Sequence, residues 1–164
     1  MAETLIRTTS HVASYRWPHA LTSSLAAAGA SALTLLWRGE RDSGGHAAAP
    51  LNAVSHWWWP RRALREDRPS WRYTGNGLLV HVASSWWWAA IYAACRRLRR
   101  EPTAANAVAD AAAVGAAAAL VDLKLVPERL TPGFERRLSS GSLAWVYVAF
   151  AVGLAVGGVI AARR

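Results

Sequence analysis

The chain has 164 residues, of which 53% are hydrophobic and 18% are charged, and 18 of its 19 basic residues are arginine. This composition excludes a disordered protein, and the long uncharged stretches between clustered charges exclude a coiled coil. The net charge of +9 is typical of nucleic-acid binding. However, the arginines lie at the edges of apolar stretches, as in membrane proteins, and no nucleic-acid-binding motif accompanies them. We therefore expect no nucleic-acid partner.

Four apolar stretches follow one another along the chain. They cover about residues 18–37, 75–95, 103–126 and 142–162. A helix needs about 20 mostly apolar residues to cross a bilayer, and each stretch is long enough. The sequence therefore predicts an all-α fold: a bundle of four transmembrane helices in one integral membrane domain, with the lipid bilayer as its principal partner.

The connector after the first stretch is predicted to open as a flexible loop over residues 38–50. Trp57–Trp59 then precede a proline and two arginines, a pattern typical of an anchor at headgroup depth. Asn52 and His56 lie one helical turn apart in the same segment, which makes them candidate interfacial site residues. We predict an interfacial segment over about residues 51–66.

The second stretch carries a polar seam. His81, Ser85, Trp88, Tyr92 and Cys95 recur at steps of 4, 3, 4 and 3 residues, so they share one helix face. Because polar groups are costly in a bilayer, such a face has two interpretations. It binds a proton, an ion or a small ligand, or its polar groups bond to neighbouring helices.

Asp122 in the third stretch is predicted to lie near His81. The second and third helices are joined by a short turn, so residues at equal depth have numbers that sum to about 198–200. Side chains lean toward the N-terminus of their own helix, which brings the tips of His81 and Asp122 together. We predict a hydrogen bond between them, which either relays protons or serves as a static contact.

Asp110 lies about two turns into the third helix, at a depth where the second helix offers no cationic residue. A carboxyl group in that position is either protonated or paired with an arginine that reaches along the helix. Arg99 and Arg100 are the candidate partners. Asp110 is therefore a further candidate for the intramembrane polar site.

The segment between the third and fourth stretches has helical periodicity. Leu130, Phe134 and Leu138 recur every four residues, with arginines on the opposite side. This pattern predicts a short amphipathic helix over about residues 130–139, lying on the membrane surface.

Gly153 and Gly157 form a GxxxG motif in the fourth stretch, which lets a neighbouring helix approach closely. The motif serves either packing inside the bundle or a homo-oligomer. Basic residues do not settle the orientation, because 8 would lie on the side of the termini and 11 on the other. The arginines packed into the short turn after the second helix favour cytoplasmic termini.

The usual enzyme motifs are absent from the sequence. Ligation of a haem by His56 and His81 would require both rings to face one cavity. We expect no catalytic residues, no metal and no cofactor, although the sequence leaves open whether the protein is an enzyme.

Residues 75–94, GNGLLVHVASSWWWAAIYAA, contain a histidine, a following serine and a later tyrosine. Together with the irregular connector before them, they resemble small four-helix bacterial inner-membrane proteins of the YagU-like kind. The resemblance implies a multi-pass protein of the bacterial inner (plasma) membrane and transfers no catalytic residues.

These observations favour a non-catalytic inner-membrane protein that packs with partners or lipids. The alternative is an oligomeric transporter or channel, linked to protons or a small solute, that uses His81, Asp110 and Asp122. A pathway through four helices is too narrow for a monomeric transporter with no visible repeat, so this alternative predicts an oligomer.

Overall fold

The computed structural model of the chain describes residues 17–99 and 103–162, and these residues form helices and turns without a strand. The predicted all-α fold is thus confirmed for the described part. Four of the helices are long and apolar enough to cross a membrane. The helices are α1 (Trp17–Asp42), α2 (Ala49–Val54), α3 (Asn76–Arg97), α4 (Ala104–Leu120) and α5 (Ser140–Ala162).

Two π-helical turns extend the middle helices. Trp71–Gly75 leads into α3, and Val121–Leu125 continues α4. At its other end, α4 begins after Thr103, whose hydroxyl accepts a hydrogen bond from the Asn106 backbone N–H. Pro127 lies just beyond the second π turn, and the residue before it adopts an extended conformation, as residues before proline usually do.

The antiparallel helices give the bundle two ends. The turn end holds the start of α1, the end of α3, the start of α4 and the end of α5. The other end carries the cap, defined here as residues 43–75 and 126–139. The Trp57 indole N–H donates to the Thr131 carbonyl at 3.1 Å, which joins the two parts of the cap. Arg137 strengthens this junction because it donates to the Leu64 carbonyl and pairs with Asp67.

The predicted flexible loop begins later than expected. Residues 38–42 are helical, because α1 continues to Asp42. Arg38 holds this last turn in place by donating from Nε to the Ser142 hydroxyl of α5 at 2.7 Å. The chain leaves the helix at Gly44–Gly45, where φ is +62° and +85°, values that glycine adopts without strain.

The first half of the predicted interfacial segment lies inside the protein. Residues 48–56 are all buried, and α2 packs against α1 and α3. Glycines allow this close approach, since a side chain at Gly77 would collide with the Leu51 carbonyl and one at Gly39 with Pro50. Exposed tryptophan appears only later in the segment, at Trp58.

The prediction of a short amphipathic helix over residues 130–139 is wrong. Two 3₁₀ turns, Glu128–Leu130 and Phe134–Arg136, replace it. Gly133 separates them with φ of +88°, and a continuous helix cannot pass through that conformation. The apolar spacing was nevertheless informative, because Phe134 and Leu138 are buried in the core.

Small residues set the packing of the long helices. Gly153 and Gly157 of α5 contact the backbone of α1 at Ala27 and Ser23. In the same way, Gly115 of α4 contacts α5. In this chain the GxxxG motif therefore packs within the bundle.

Two apolar clusters form the core. The cluster nearer the turn end is built around Tyr92, Val114 and Leu154, and the cluster nearer the cap around Leu35 and Val146. A cavity lies between the two clusters.

Candidate functional site

A cavity of about 430 Å³ lies between the two apolar clusters and is partly open to the exterior. It is bounded by α3, α4, α5 and the cap, and α1 reaches it through Ser31. The polar side chains that line it are those of Ser31, His81, Ser84, Ser85, Asp122 and Tyr147. The rest of the wall is mainly apolar and includes Val54, Trp57, Val80, Trp87, Trp88, Val121, Val126, Leu130, Phe134, Val146 and Phe150.

Helical spacing along the sequence explains why these side chains lie together at the cavity. His81, Ser85 and Trp88 recur at steps of 4 and 3 along α3, so the predicted polar face points into the bundle. The π turn at the end of α4 carries Asp122. Phe134 of the cap packs into the apolar cluster below it, so the cap closes part of the space between α3 and α4.

His81 is buried and bonds to α1. Its Nε2 lies 2.9 Å from the Ser31 hydroxyl, and that hydroxyl donates its one proton to the Ala27 carbonyl at 2.7 Å. With the Ser31 proton on the Ala27 carbonyl, Nε2 is assigned the ring proton and donates to Ser31, and this assignment agrees with its interaction with the Ala28 carbonyl. A neutral His81 then presents Nδ1 as an acceptor, and no group among the described residues donates to it.

Ser31 and His81 have the composition of a nucleophile and a base, but the bonding pattern does not suit catalysis. A catalytic histidine accepts the proton of its serine, and a third group orients it through the other nitrogen. Here the histidine donates to the serine instead. The pair is a structural hydrogen bond between α1 and α3.

Asp122 bonds to α5. The Tyr147 hydroxyl donates to its Oδ2 at 3.2 Å, and the Trp88 side chain also interacts with the carboxyl group. The predicted direct bond between His81 and Asp122 is wrong, because Ser31 and Tyr147 supply nearer partners. The two side chains nevertheless line the same cavity.

One contact between α3 and α4 agrees with the helix register behind that prediction. The Tyr92 hydroxyl of α3 donates to the Ala107 carbonyl of α4 at 3.3 Å, and the two residue numbers add to 199. The error lay in treating α3 and α4 alone, since α1 and α5 lie against the same faces.

Asp110 belongs to a separate cluster at the turn end. Its carboxylate accepts from Arg99 Nη2 at 2.5 Å and Arg99 Nε at 3.3 Å, and Arg96 Nη1 lies 3.5 Å away. Of the alternatives that the sequence left open, pairing with Arg99 is the one found in the structure, whereas Arg100 lies outside the described residues. The hydrogen bond to Asp110 raises the pKa of Arg99. The sequence analysis did not identify Arg96, because it compared residues at equal depth, whereas an arginine side chain also reaches residues at other depths along the helices.

Asn52 is fully buried and organises the cap rather than an interface. Its Nδ2 donates to the carbonyls of Glu66 at 2.9 Å and Arg68 at 3.0 Å. Its Oδ1 accepts from the Thr74 hydroxyl at 2.6 Å. One side chain thus ties the irregular connector to α2.

His56 belongs to the cap and lies outside the lining of the cavity. Its Nδ1 is 3.0 Å from the Ala53 carbonyl, which can only accept, so Nδ1 carries a proton. Its Nε2 is buried and has no hydrogen-bond partner among the described residues. Among all the described residues, no group of three or more histidine, cysteine, aspartate or glutamate residues is placed to hold a metal ion.

The sequence reasoning missed Ser31, Tyr147 and Glu135. Ser31 and Tyr147 carry hydroxyl groups in the middle of apolar stretches, where a polar atom needs a partner, and that requirement was the available signal. Glu135 follows the Thr-Pro-Gly turn and accepts from the Thr131 hydroxyl at 2.7 Å. Nothing in its local sequence indicates that its charge acts on Asp122.

Comparisons of the chain with protein families, curated proteins and solved structures found no match. The resemblance of residues 75–94 to YagU-like proteins therefore stays a prediction. The chemistry of the cavity has to follow from its own side chains, which offer an aromatic wall and a small number of hydrogen-bond acceptors.

Proposed function

We propose that this chain is a non-catalytic, multi-pass protein of the bacterial inner membrane that binds a small amphipathic molecule in its cavity. The observation that carries this proposal is the cavity itself. Its volume of about 430 Å³ lies in the range of about 300–1,000 Å³ that is typical of small-molecule sites. Such sites combine apolar walls with a few converging polar groups, as found here.

The outer surface of the bundle supports the membrane part of the proposal. Large apolar side chains project outward from the long helices and are more than half exposed at Leu25, Leu33, Leu79, Val108 and Val152. A water-soluble monomer rarely exposes so much apolar surface, whereas a bilayer would cover it. The bacterial inner membrane is proposed from the sequence resemblance, and cytoplasmic termini are proposed from the arginines of the turn.

A proton- or solute-linked transporter is the second candidate, because His81 and Asp122 line one cavity. The structure limits the residues and surfaces that such a transporter could use. Asp110 is neutralised by two arginines away from the cavity, and Gly153 and Gly157 already contact α1. An oligomeric transporter would therefore have to use another surface for assembly.

Filling the cavity tests the proposal. Ala83 lines the cavity, whereas Ala113 is exposed on α4 outside its lining, so A83W and A113W form a matched pair. Calorimetric titration of the protein in lipid nanodiscs, with empty nanodiscs subtracted, would use 4-phenylbutanol and 4-phenylbutylamine. We expect saturable binding of at least one probe to the wild type and A113W, and its loss in A83W. Absence of saturable binding to the wild type, or binding unchanged in A83W, would contradict the proposal.

A further inference from the structure

We infer that the cavity selects a lipophilic primary amine, bound as the ammonium ion; this inference rests on the proposed function. Its first support is a contrast of charge. The chain carries 19 basic residues against 10 acidic ones, yet the described lining contains no arginine or lysine and a single carboxylate, that of Asp122. An anionic ligand would meet a like charge there and no positive partner.

The second support is the direction of the hydrogen bonds. His81 uses its Nε2 proton on α1, which leaves Nδ1 as an acceptor. The Tyr147 hydroxyl uses its proton on Asp122, whose carboxylate still has acceptor capacity. Ser85 likewise donates to a backbone carbonyl of its own helix. These three groups have committed their donors, and an ammonium group brings three donors and no acceptor.

The third support is Glu135, beside the cavity. One of its oxygens accepts from Thr131, with Arg136 Nε 3.9 Å away, but the other, Oε2, is buried without a partner among the described residues. Its charge also acts on Asp122 and Tyr147. A ligand cation beside Asp122 therefore interacts favourably with both carboxylates, directly with Asp122 and through space with Glu135.

The aromatic wall completes the arrangement. Trp57, Trp87, Trp88, Tyr147 and Phe150 line the cavity. Aromatic faces attract an ammonium group, and the same rings pack well against an aliphatic or aromatic body. The site thus fits a molecule with one ammonium end and an apolar remainder, which is the chemistry of a lipophilic amine.

Three probes of similar shape separate charge from hydrophobicity: 4-phenylbutylamine, 4-phenylbutanol and 4-phenylbutanoate. Titrated into nanodiscs that contain the full chain, the amine should bind most tightly and the carboxylate least tightly. Asp122→Asn should weaken amine binding by about tenfold or more and leave alcohol binding unchanged, because only the amine interacts with the charge. Glu40→Gln, which removes an exposed carboxylate outside the cavity, should change neither.

Each alternative outcome has a distinct meaning. Equal binding of amine and alcohol that Asp122→Asn does not alter would overturn the inference and leave the proposed cavity intact. Tightest binding of the carboxylate would overturn the inference as well. Binding of none of the probes to the wild type would overturn the proposed function itself. If Asp122→Asn does not fold, Glu135→Gln replaces it: a few-fold loss of amine binding alone supports the inference, and no loss overturns it.

Discussion

Asp110 and Asp122 lie on one helical segment but in opposite surroundings. At the turn end, Asp110 accepts from Arg99 and lies within ion-pair distance of Arg96, so its charge is neutralised by the protein. Near the cap, Asp122 accepts from Tyr147, interacts with Trp88 and lines the cavity. The same residue type is thus a structural element at one end of the bundle and an available binding group at the other.

The largest expected effect comes from removing the carboxylate at the turn end. Asp110→Ala leaves a buried Arg96 without its counter-ion, and breaking a buried ion pair costs about 3–5 kcal/mol. Because Arg99 is largely solvated, we expect a loss of about 2–3 kcal/mol in the free energy of unfolding. Denaturant unfolding in mixed micelles would measure it. Asp122→Ala is the matched control. An equal loss of unfolding free energy in both variants would contradict the proposed difference between the two aspartates.

The next effect concerns the cap. Asn52→Ala removes three hydrogen bonds at a fully buried position, and a loss of about 2 kcal/mol in local stability follows from the unsatisfied partners. Hydrogen exchange should accelerate in the connector, residues 63–74, while the turn end keeps its protection. Asn76→Ala removes an exposed hydrogen bond to Arg72 and serves as the control. Unchanged exchange in the Asn52 variant would show that this side chain does not organise the cap.

A smaller effect tests which groups pair inside the bundle. A double-mutant cycle of Ser31→Ala and His81→Ala should give a coupling energy of about 1 kcal/mol, since the two side chains share a buried hydrogen bond. The cycle of His81→Ala with Asp122→Ala should be additive within about 0.5 kcal/mol. Strong coupling in the second cycle and none in the first would restore the direct histidine–aspartate pair.

The sequence predicted the helices better than the contacts between them. Apolar length located the four long helices, and the short turn between α3 and α4 predicted a register with which the Tyr92–Ala107 hydrogen bond agrees. Periodicity failed over residues 130–139, because Gly133 adopts a positive φ under the constraint of contacts with α2. Local spacing cannot reveal such a tertiary constraint.

The candidate site could be predicted only in part, because local spacing does not reveal contacts between distant elements. Helical spacing identified the face of α3 that carries His81, and the cost of burying charge drew attention to both aspartates. Their hydrogen-bond partners, such as Ser31 and Tyr147, lie on helices that are distant in sequence. The sequence alone does not show which helices are neighbours, so it could not identify these partners. The cavity is likewise a consequence of how the cap meets α3 and α4.

The most direct test of the account measures two properties of two variants. Unfolding free energy and 4-phenylbutylamine affinity would be determined for Asp110→Asn and Asp122→Asn in the same nanodisc or micelle preparation. The account predicts a crossover: Asp110→Asn loses stability and keeps its amine affinity, whereas Asp122→Asn keeps its stability within about 0.5 kcal/mol and loses affinity about tenfold or more. Equal changes in both properties for the two variants, or the reverse pattern, would contradict it.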